Sequence, residues 1–147
     1  MINLYTIGFT NKSAEKFFGL LRQNQVAKII DTRINNVSQL SGFAKGKDLE
    51  FFARHICGIG YEHELAFAPT KELLEAYRNK KLSWEQYSDE YLALLTQRNI
   101  GAQPSLIENL HNGCLLCSEH LPEKCHRRLL AEFLHRKNPE VQIIHLK

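Results

Sequence analysis

The sequence lacks any apolar run long enough to cross a membrane, which excludes a transmembrane protein. Its first residues also lack a basic segment followed by a long apolar one, so we expect the protein to stay in the cytoplasm. Only four cysteines occur among 147 residues. Without an export signal, they indicate reduced thiols rather than a disulfide framework. Internal repeats, low-complexity tracts and linkers are absent too, and we expect one α/β domain over residues 1–147.

The sequence also lacks a strong net charge, and its +3 does not by itself indicate a nucleic-acid-binding protein. The charge is nevertheless uneven. Residues 124–137 contain one acidic residue, Glu132, and five basic residues: Lys124, Arg127, Arg128, Arg136 and Lys137. Two interpretations stand. The segment is either a patch that faces an anion or the solvated face of a helix, and the second is the commoner origin of such a run.

Short apolar segments alternate with segments of helical periodicity. Five strands are predicted at residues 2–7, 26–31, 59–62, 114–117 and 141–145. This alternation predicts a three-layer α/β fold, with a mainly parallel sheet of about five strands and helices on both faces. A helical insertion is expected at about residues 70–111, and a long functional or mobile loop at 34–47. In the insertion, Trp84, Tyr87 and Tyr91 follow helical spacing, which favours core packing over a base-stacking surface.

Residues 115–130 contain the densest group of reactive side chains. A predicted strand ends at Cys117, a polar loop follows, and a helix expected from residue 122 carries Cys125, His126 and Arg127 in its first turns. Ligand sites of α/β proteins lie at such junctions. A thiol near a helix N-terminus and beside cations has a lowered pKa, which favours Cys125 as the reactive thiol. Cys117 is then a nucleophile, a thiol partner or a small buried apolar residue.

The polar residues of this junction have both catalytic and structural interpretations. His126 can act as an acid, a base or a metal ligand. Glu119 can act as a general base, or orient His126 or Arg127. Arg127 can bind a phosphate or carboxylate with paired donors, or form an ion pair with a nearby carboxylate.

Other strand ends supply candidates for binding an anionic substrate. If the strands are parallel, their carboxyl ends share one edge of the sheet. The candidates there, together with one residue of the 34–47 loop, are Thr6, Gly8, Asp31, Arg33, Tyr61 and Ser38. For Asp31 and Arg33, an ion pair that closes the strand is the alternative.

The spacing Cys114-x-x-Cys117 is that of half a zinc site. Side chains alternate faces along a strand, however, so an offset of three places these two thiols on opposite faces. Adjacent Cys125 and His126 also rarely both reach one tetrahedral ion. A metal site made of Cys117, Glu119, Cys125 and His126 remains an alternative, and the sequence requires no cofactor.

Five segments carry a family resemblance: residues 6–8 (Thr-Ile-Gly), 31–33 (Asp-Thr-Arg), 58–61 (Gly-Ile-Gly-Tyr), 117–119 (Cys-Ser-Glu) and 125–127 (Cys-His-Arg). With these motifs the chain resembles the domain of unknown function 488 family over nearly its whole length. Ser38 and residues 42–43 fall where the loop signature of that family lies. The resemblance implies an α/β fold and a site at these residues, and it implies no particular reaction.

We therefore expect a small enzyme that binds an anionic or nucleotide-like substrate at the carboxyl edge of the sheet. Arg33 and Arg127 would hold the anion, Cys125 or Cys117 would be the nucleophile, and His126 and Glu119 would transfer protons. A thiol-dependent transferase or hydrolase is favoured. The alternatives are a non-catalytic nucleic-acid or nucleotide binder that uses residues 124–137, and a metal-binding domain.

Overall fold

The computed structural model describes residues 1–37, 42–119 and 122–147. Five strands form one sheet in which every pair of neighbours is parallel. They are β1 (Ile2–Gly8), β2 (Lys28–Asp31), β3 (Gly60–His63), β4 (Gly113–Cys117) and β5 (Val141–His145). The order across the sheet is β3-β2-β4-β1-β5, which makes β4 the central strand. The predicted parallel α/β fold is confirmed.

Six α-helices within the described ranges connect the strands. They are α1 (Ala14–Gln23), α2 (Gly46–Phe52), α3 (Lys71–Arg78), α4 (Trp84–Gln97), α5 (Pro104–Glu108) and α6 (His126–Lys137). Helices α3, α4 and α5 lie between β3 and β4, where the helical insertion was expected. A capping box at Ser83 and Gln86 starts α4, as the Ser-x-x-Gln pattern indicates. No helix in the described ranges is long and apolar enough to span a bilayer.

The two faces of the sheet bury separate cores. Leu4, Ile30 and Leu115 pack with α4 and α6 on one face, which we call the α6 face. Their strand neighbours, such as Ile29 and Leu116, pack with α1 and α2 on the other, the α1 face. Consecutive residues of a strand point to opposite faces, so each strand contributes to both cores. Whether two strand-end residues meet therefore depends first on which face each one occupies.

The start of α6 differs from the prediction. The helix begins at His126, not at residue 122, and Cys125 precedes it with an extended backbone (φ −134°, ψ 139°). Cys125 is thus the N-cap residue, and His126 lies in the first turn. The segment predicted as a loop at 34–47 also contains regular structure, because a 3-10 turn occupies Gly42–Ala44 and α2 begins at Gly46.

Candidate functional site

Cys117 is the last residue of the central strand, between the ends of β1 and β2. Its side chain lies on the α6 face, and only 4% of it is exposed. Cys114 belongs to the core of the α1 face. The prediction that alternation separates Cys114 from Cys117 is therefore confirmed.

His126 lies beside Cys117, with its Nδ1 atom 3.5 Å from the sulfur. On the other side of the ring, Nε2 is 3.0 Å from the carbonyl oxygen of Thr32. A carbonyl can only accept a hydrogen bond, so Nε2 carries a proton and donates it. In the neutral ring, Nδ1 is then the acceptor that faces the Cys117 thiol. This tautomer is the one in which His126 can deprotonate Cys117.

Thr32 holds the imidazole in place from the end of β2. Its hydroxyl donates to the carbonyl of Leu116 at 2.8 Å and lies 3.0 Å from His126 Nε2. Its N–H also donates to the Leu116 carbonyl, at 3.0 Å. The Tyr91 ring packs against the imidazole in a T-shaped arrangement, at a centroid distance of 5.5 Å. The orientation of His126 therefore depends on the packing of β2, β4 and α4.

Cys125 is the second thiol of the site. Ligand atoms of Cys117, Cys125 and His126 all lie within 4.8 Å of one another, and each of the two thiols shifts the pKa of the other. Burial, with the neighbouring Cys117, raises the pKa of Cys125 well above the usual value. This direction is opposite to the one that the helix N-terminus predicts, because Cys125 is desolvated and faces a second sulfur.

The pKa of Cys117 is lowered well below the usual value. The hydrogen bond from Cys125 has the largest effect and, with the attraction to His126, outweighs the burial of the sulfur; the N–H of Glu119 contributes a further hydrogen bond. Burial alone would lower the pKa of His126, but the interaction with Cys117 raises it. These opposite shifts favour the thiolate form of Cys117 and the imidazolium form of His126.

Glu119 and Arg127 contribute differently from what we expected. Glu119 is exposed, and it interacts with Cys117 and Arg127 through its main chain and not through its carboxylate. Arg127 is completely buried, and its Nη1 donates to the Glu119 carbonyl at 2.6 Å. Arg127 therefore fixes the segment after Cys117 and does not face solvent, where a substrate anion would enter.

Asp31 and Arg33 form the ion pair that was the alternative to substrate binding. Arg33 donates to both carboxylate oxygens of Asp31, at 2.8 and 2.7 Å, and both residues are buried. The Tyr61 hydroxyl donates to the same carboxylate at 2.6 Å. Asp31 follows Ile30 in β2 and so points to the α1 face, away from Cys117. Asp31 and Arg33 therefore do not share a cleft with Cys117, contrary to what we expected of residues at the carboxyl edge of the sheet.

The remaining candidates have structural contacts. The hydroxyl of Thr6, which is buried, lies 2.6 Å from Nδ1 of His145, a partner that the sequence did not suggest. Gly8 is the residue of β1 opposite Cys117 and lies against the main chain of Glu119. Ser38 lies outside the described residues.

A groove next to the two thiols is lined by Tyr77, Trp84 and Tyr87 and by the basic residues Arg78 and Lys124. Tyr87 and Tyr91 are buried, as the predicted core packing requires, whereas Trp84 is only partly buried against that core. Sequence spacing did not connect Tyr77 or Arg78 with the cysteines, because their proximity depends on how α3 and α4 pack against the start of α6.

The basic segment 124–137 does not form one exposed surface. Arg127 is buried, and Arg128 pairs with Glu132 at 3.5 Å. Lys124 lies before α6, whereas Arg136 and Lys137 lie at its opposite end. Arg127 and Arg128, two of the five basic residues of this segment, therefore make contacts within the fold.

The same site offers three ligands to a metal ion, namely Cys117, Cys125 and His126. We expected adjacent Cys125 and His126 rarely to reach one ion, but here their ligand atoms lie within 4.8 Å of each other and of Cys117. The reason is that Cys125 has an extended backbone and His126 a helical one, which turns both side chains toward Cys117. Neither Cys114 nor Glu119 belongs to this group of three.

A family model described as "Domain of unknown function DUF488" matches residues 13–134. The matched range covers the positions of Cys117, Cys125 and His126. No curated protein and no solved structure gives a significant match to the chain.

Proposed function

We propose that this chain, which belongs to the domain of unknown function DUF488 family, is an enzyme with the Cys117 thiolate as its nucleophile. The observation that carries the proposal is the contact between Cys117 Sγ and His126 Nδ1, combined with the hydrogen bond that fixes His126 Nε2 as a donor. A nucleophile, a base and a group that orients the base are the parts that nucleophilic catalysis requires.

In the proposed reaction, His126 accepts the proton of Cys117. The thiolate then attacks an electrophilic atom of the substrate and forms a covalent intermediate. The imidazolium of His126 returns the proton to the leaving group. Transfer of the bound group to an acceptor completes a transferase reaction, and transfer to water completes a hydrolase reaction.

The groove beside Cys117 supports a substrate that is small and anionic. Arg78 and Lys124 lie at its rim, and aromatic side chains form its wall. These two cations replace Arg33 and Arg127 as the proposed anion-binding residues, because the latter two are buried within the fold. An apolar wall with a few charged groups is typical of small-molecule sites.

The pH dependence of alkylation tests the proposal. Iodoacetamide should modify Cys117 with a midpoint well below the ordinary thiol pKa of about 8.5. Mass spectrometry of peptides identifies the modified sulfur. Cys117→Ser should abolish the low-pH reaction, whereas Cys114→Ser, on the opposite face, should retain it. A midpoint at or above the ordinary value would contradict the proposal.

A metal-binding domain is the second candidate function. The observation that favours it is the cluster of two sulfurs and one imidazole nitrogen within 4.8 Å. The hydrogen bond from Nε2 to the Thr32 carbonyl also resembles the support that ligating histidines commonly have. Stoichiometric metal in the purified protein, lost in Cys117→Ser, would favour this candidate over the nucleophile.

A further inference from the structure

We propose that Cys117 and Cys125 form a redox pair, that the substrate is an organic disulfide bearing a negative charge, and that Cys125 is the resolving thiol. This inference rests on the proposed function, because it takes Cys117 as the attacking thiolate. It goes further in naming the electrophile, which is sulfur, and in resolving the covalent intermediate by attack of Cys125 instead of by transfer to an acceptor or to water.

The backbone at each cysteine suits this division of roles. Cys117 ends the central strand, whose neighbours on both sides hold it in register. Cys125 precedes the first turn of α6 and has an extended backbone. Their sulfurs lie within 4.8 Å, and a disulfide requires about 2.05 Å. The two sulfurs must still approach each other, by a distance that a side-chain movement can cover. Cys125 can make this movement because it lies outside both helix and strand.

The other two cysteines are placed where they do not compete. Cys114 is buried on the α1 face of the same strand. Cys57 lies near the carbonyl of Phe18, at 3.6 Å, in the same α1-face core. A mixed disulfide at Cys117 therefore has Cys125 as its neighbouring thiol, and the fold specifies one pair among the four cysteines.

The proposed reaction balances as two thiol–disulfide exchanges. The Cys117 thiolate attacks one sulfur of the substrate, R–S–S–R′, which forms a Cys117–S–S–R bond and expels R′–S⁻, protonated by His126. Cys125 then loses its proton to His126 and attacks Cys117 Sγ. The second thiol, R–SH, leaves with that proton, and a Cys117–Cys125 disulfide remains. A dithiol reductant restores both thiols, so two electrons pass from that reductant to the substrate.

The groove supports this class of substrate. Its wall contains Tyr77, Trp84 and Tyr87, against which a flat apolar group would pack, and the basic residues Arg78 and Lys124 would complement a carboxylate. An aromatic disulfide with carboxylates has both features. The reagent 5,5′-dithiobis(2-nitrobenzoate) belongs to this class, and it releases a coloured thiolate at each exchange step.

We would treat the Cys57→Ser protein with one equivalent of this reagent. The single substitution removes the half-exposed thiol and leaves the pair intact. We expect two equivalents of coloured thiolate, no retained adduct, and a peptide cross-linked between Cys117 and Cys125. Dithiothreitol should then restore both thiols. In Cys57→Ser/Cys125→Ser we expect one equivalent and a stable adduct on Cys117. Cys57→Ser/Cys114→Ser is the matched control, and it should behave as Cys57→Ser does.

Each way in which the proposal could fail gives a different result. If Cys57→Ser keeps a stable adduct on Cys117, Cys125 is not the resolving thiol, and the nucleophile stands. If iodoacetamide modifies Cys117 at low pH but the disulfide reagent does not react there, the substrate class is wrong. If neither reagent modifies Cys117, the proposed function and the redox pair both fail. Cys57→Ser/Cys125→Ala is a second control. A stable adduct in this variant too would show that the adduct in Cys57→Ser/Cys125→Ser reflects the missing thiol and not the new hydroxyl.

Discussion

Gly8 lies so close to Glu119 that a Cβ atom at residue 8 would overlap the Glu119 carbonyl oxygen, and it would lie 2.9 Å from Arg127 Nη1. The same carbonyl accepts the hydrogen bond from Arg127, and the main chain of Glu119 helps to lower the pKa of Cys117. The missing side chain at the end of β1 thus allows the segment after Cys117 to pack against the sheet.

Gly8→Ala should therefore destabilise the fold and disturb the thiol site together. Backbone cannot move aside as a flexible side chain can, so we expect a loss of about 1–3 kcal/mol in the free energy of unfolding. Displacing Glu119 should also raise the pH midpoint of Cys117 alkylation. Urea denaturation and alkylation measure the two effects. Gly19→Ala is the control, because nothing lies near the added Cβ and α1 should gain up to about 1 kcal/mol.

His126→Gln should raise the pH midpoint of Cys117 alkylation toward the ordinary thiol value. The pKa of Cys117 is lowered partly by attraction to His126, and a neutral amide removes that attraction. Once the midpoint lies above neutral pH, the alkylation rate at pH 7 should fall about tenfold for each further pH unit, because only the thiolate reacts. His55→Gln, at an exposed residue of the α1 side, should leave the midpoint unchanged. An unchanged midpoint in His126→Gln would show that the imidazole does not activate Cys117.

Thr32→Val should destabilise the protein and loosen His126. It removes the hydroxyl that donates to Leu116 and lies against Nε2, in a buried setting. We expect a loss of about 1–3 kcal/mol on unfolding. The pH midpoint of Cys117 alkylation should rise less than in His126→Gln, because the Thr32 carbonyl still accepts a hydrogen bond from His126 Nε2. Thr96→Val, which removes an exposed hydroxyl bond, should cost much less. Equal losses in the two variants would argue against a special role for Thr32.

Asp31→Asn should reduce stability strongly and leave Cys117 unaffected. The substitution leaves the buried Arg33 charge without its carboxylate, and such changes cost about 3–5 kcal/mol. Because Asp31 points to the α1 face, the alkylation midpoint of the folded protein should not move. Glu62→Gln breaks the exposed pair with Lys28 and should cost at most about 1 kcal/mol. A shifted pH midpoint of Cys117 alkylation in Asp31→Asn would mean that the Asp31–Arg33 ion pair is coupled to the thiol site.

Much of the fold and part of the site could be predicted from local patterns. Strand and helix order follows from apolar periodicity, and the separation of Cys114 from Cys117 follows from alternation along one strand. Cys117, Cys125 and His126 stand out in the sequence alone. The roles of the two thiols do not, because the argument from a helix N-terminus does not include burial or the hydrogen bond between them.

By itself, the sequence determined the parallel α/β architecture and the segment in which the thiols lie, since both depend on the period of apolar residues within single elements. Tertiary structure decided which side chains meet. It placed Thr32 rather than Asp31 beside His126, buried Arg127, and brought Tyr77 and Arg78 to the thiols. The physical reason is that the face a residue occupies relative to another element depends on where strands and helices begin and how they pack. For Cys125 and His126, the extended backbone of Cys125 immediately before α6 turns both side chains toward Cys117.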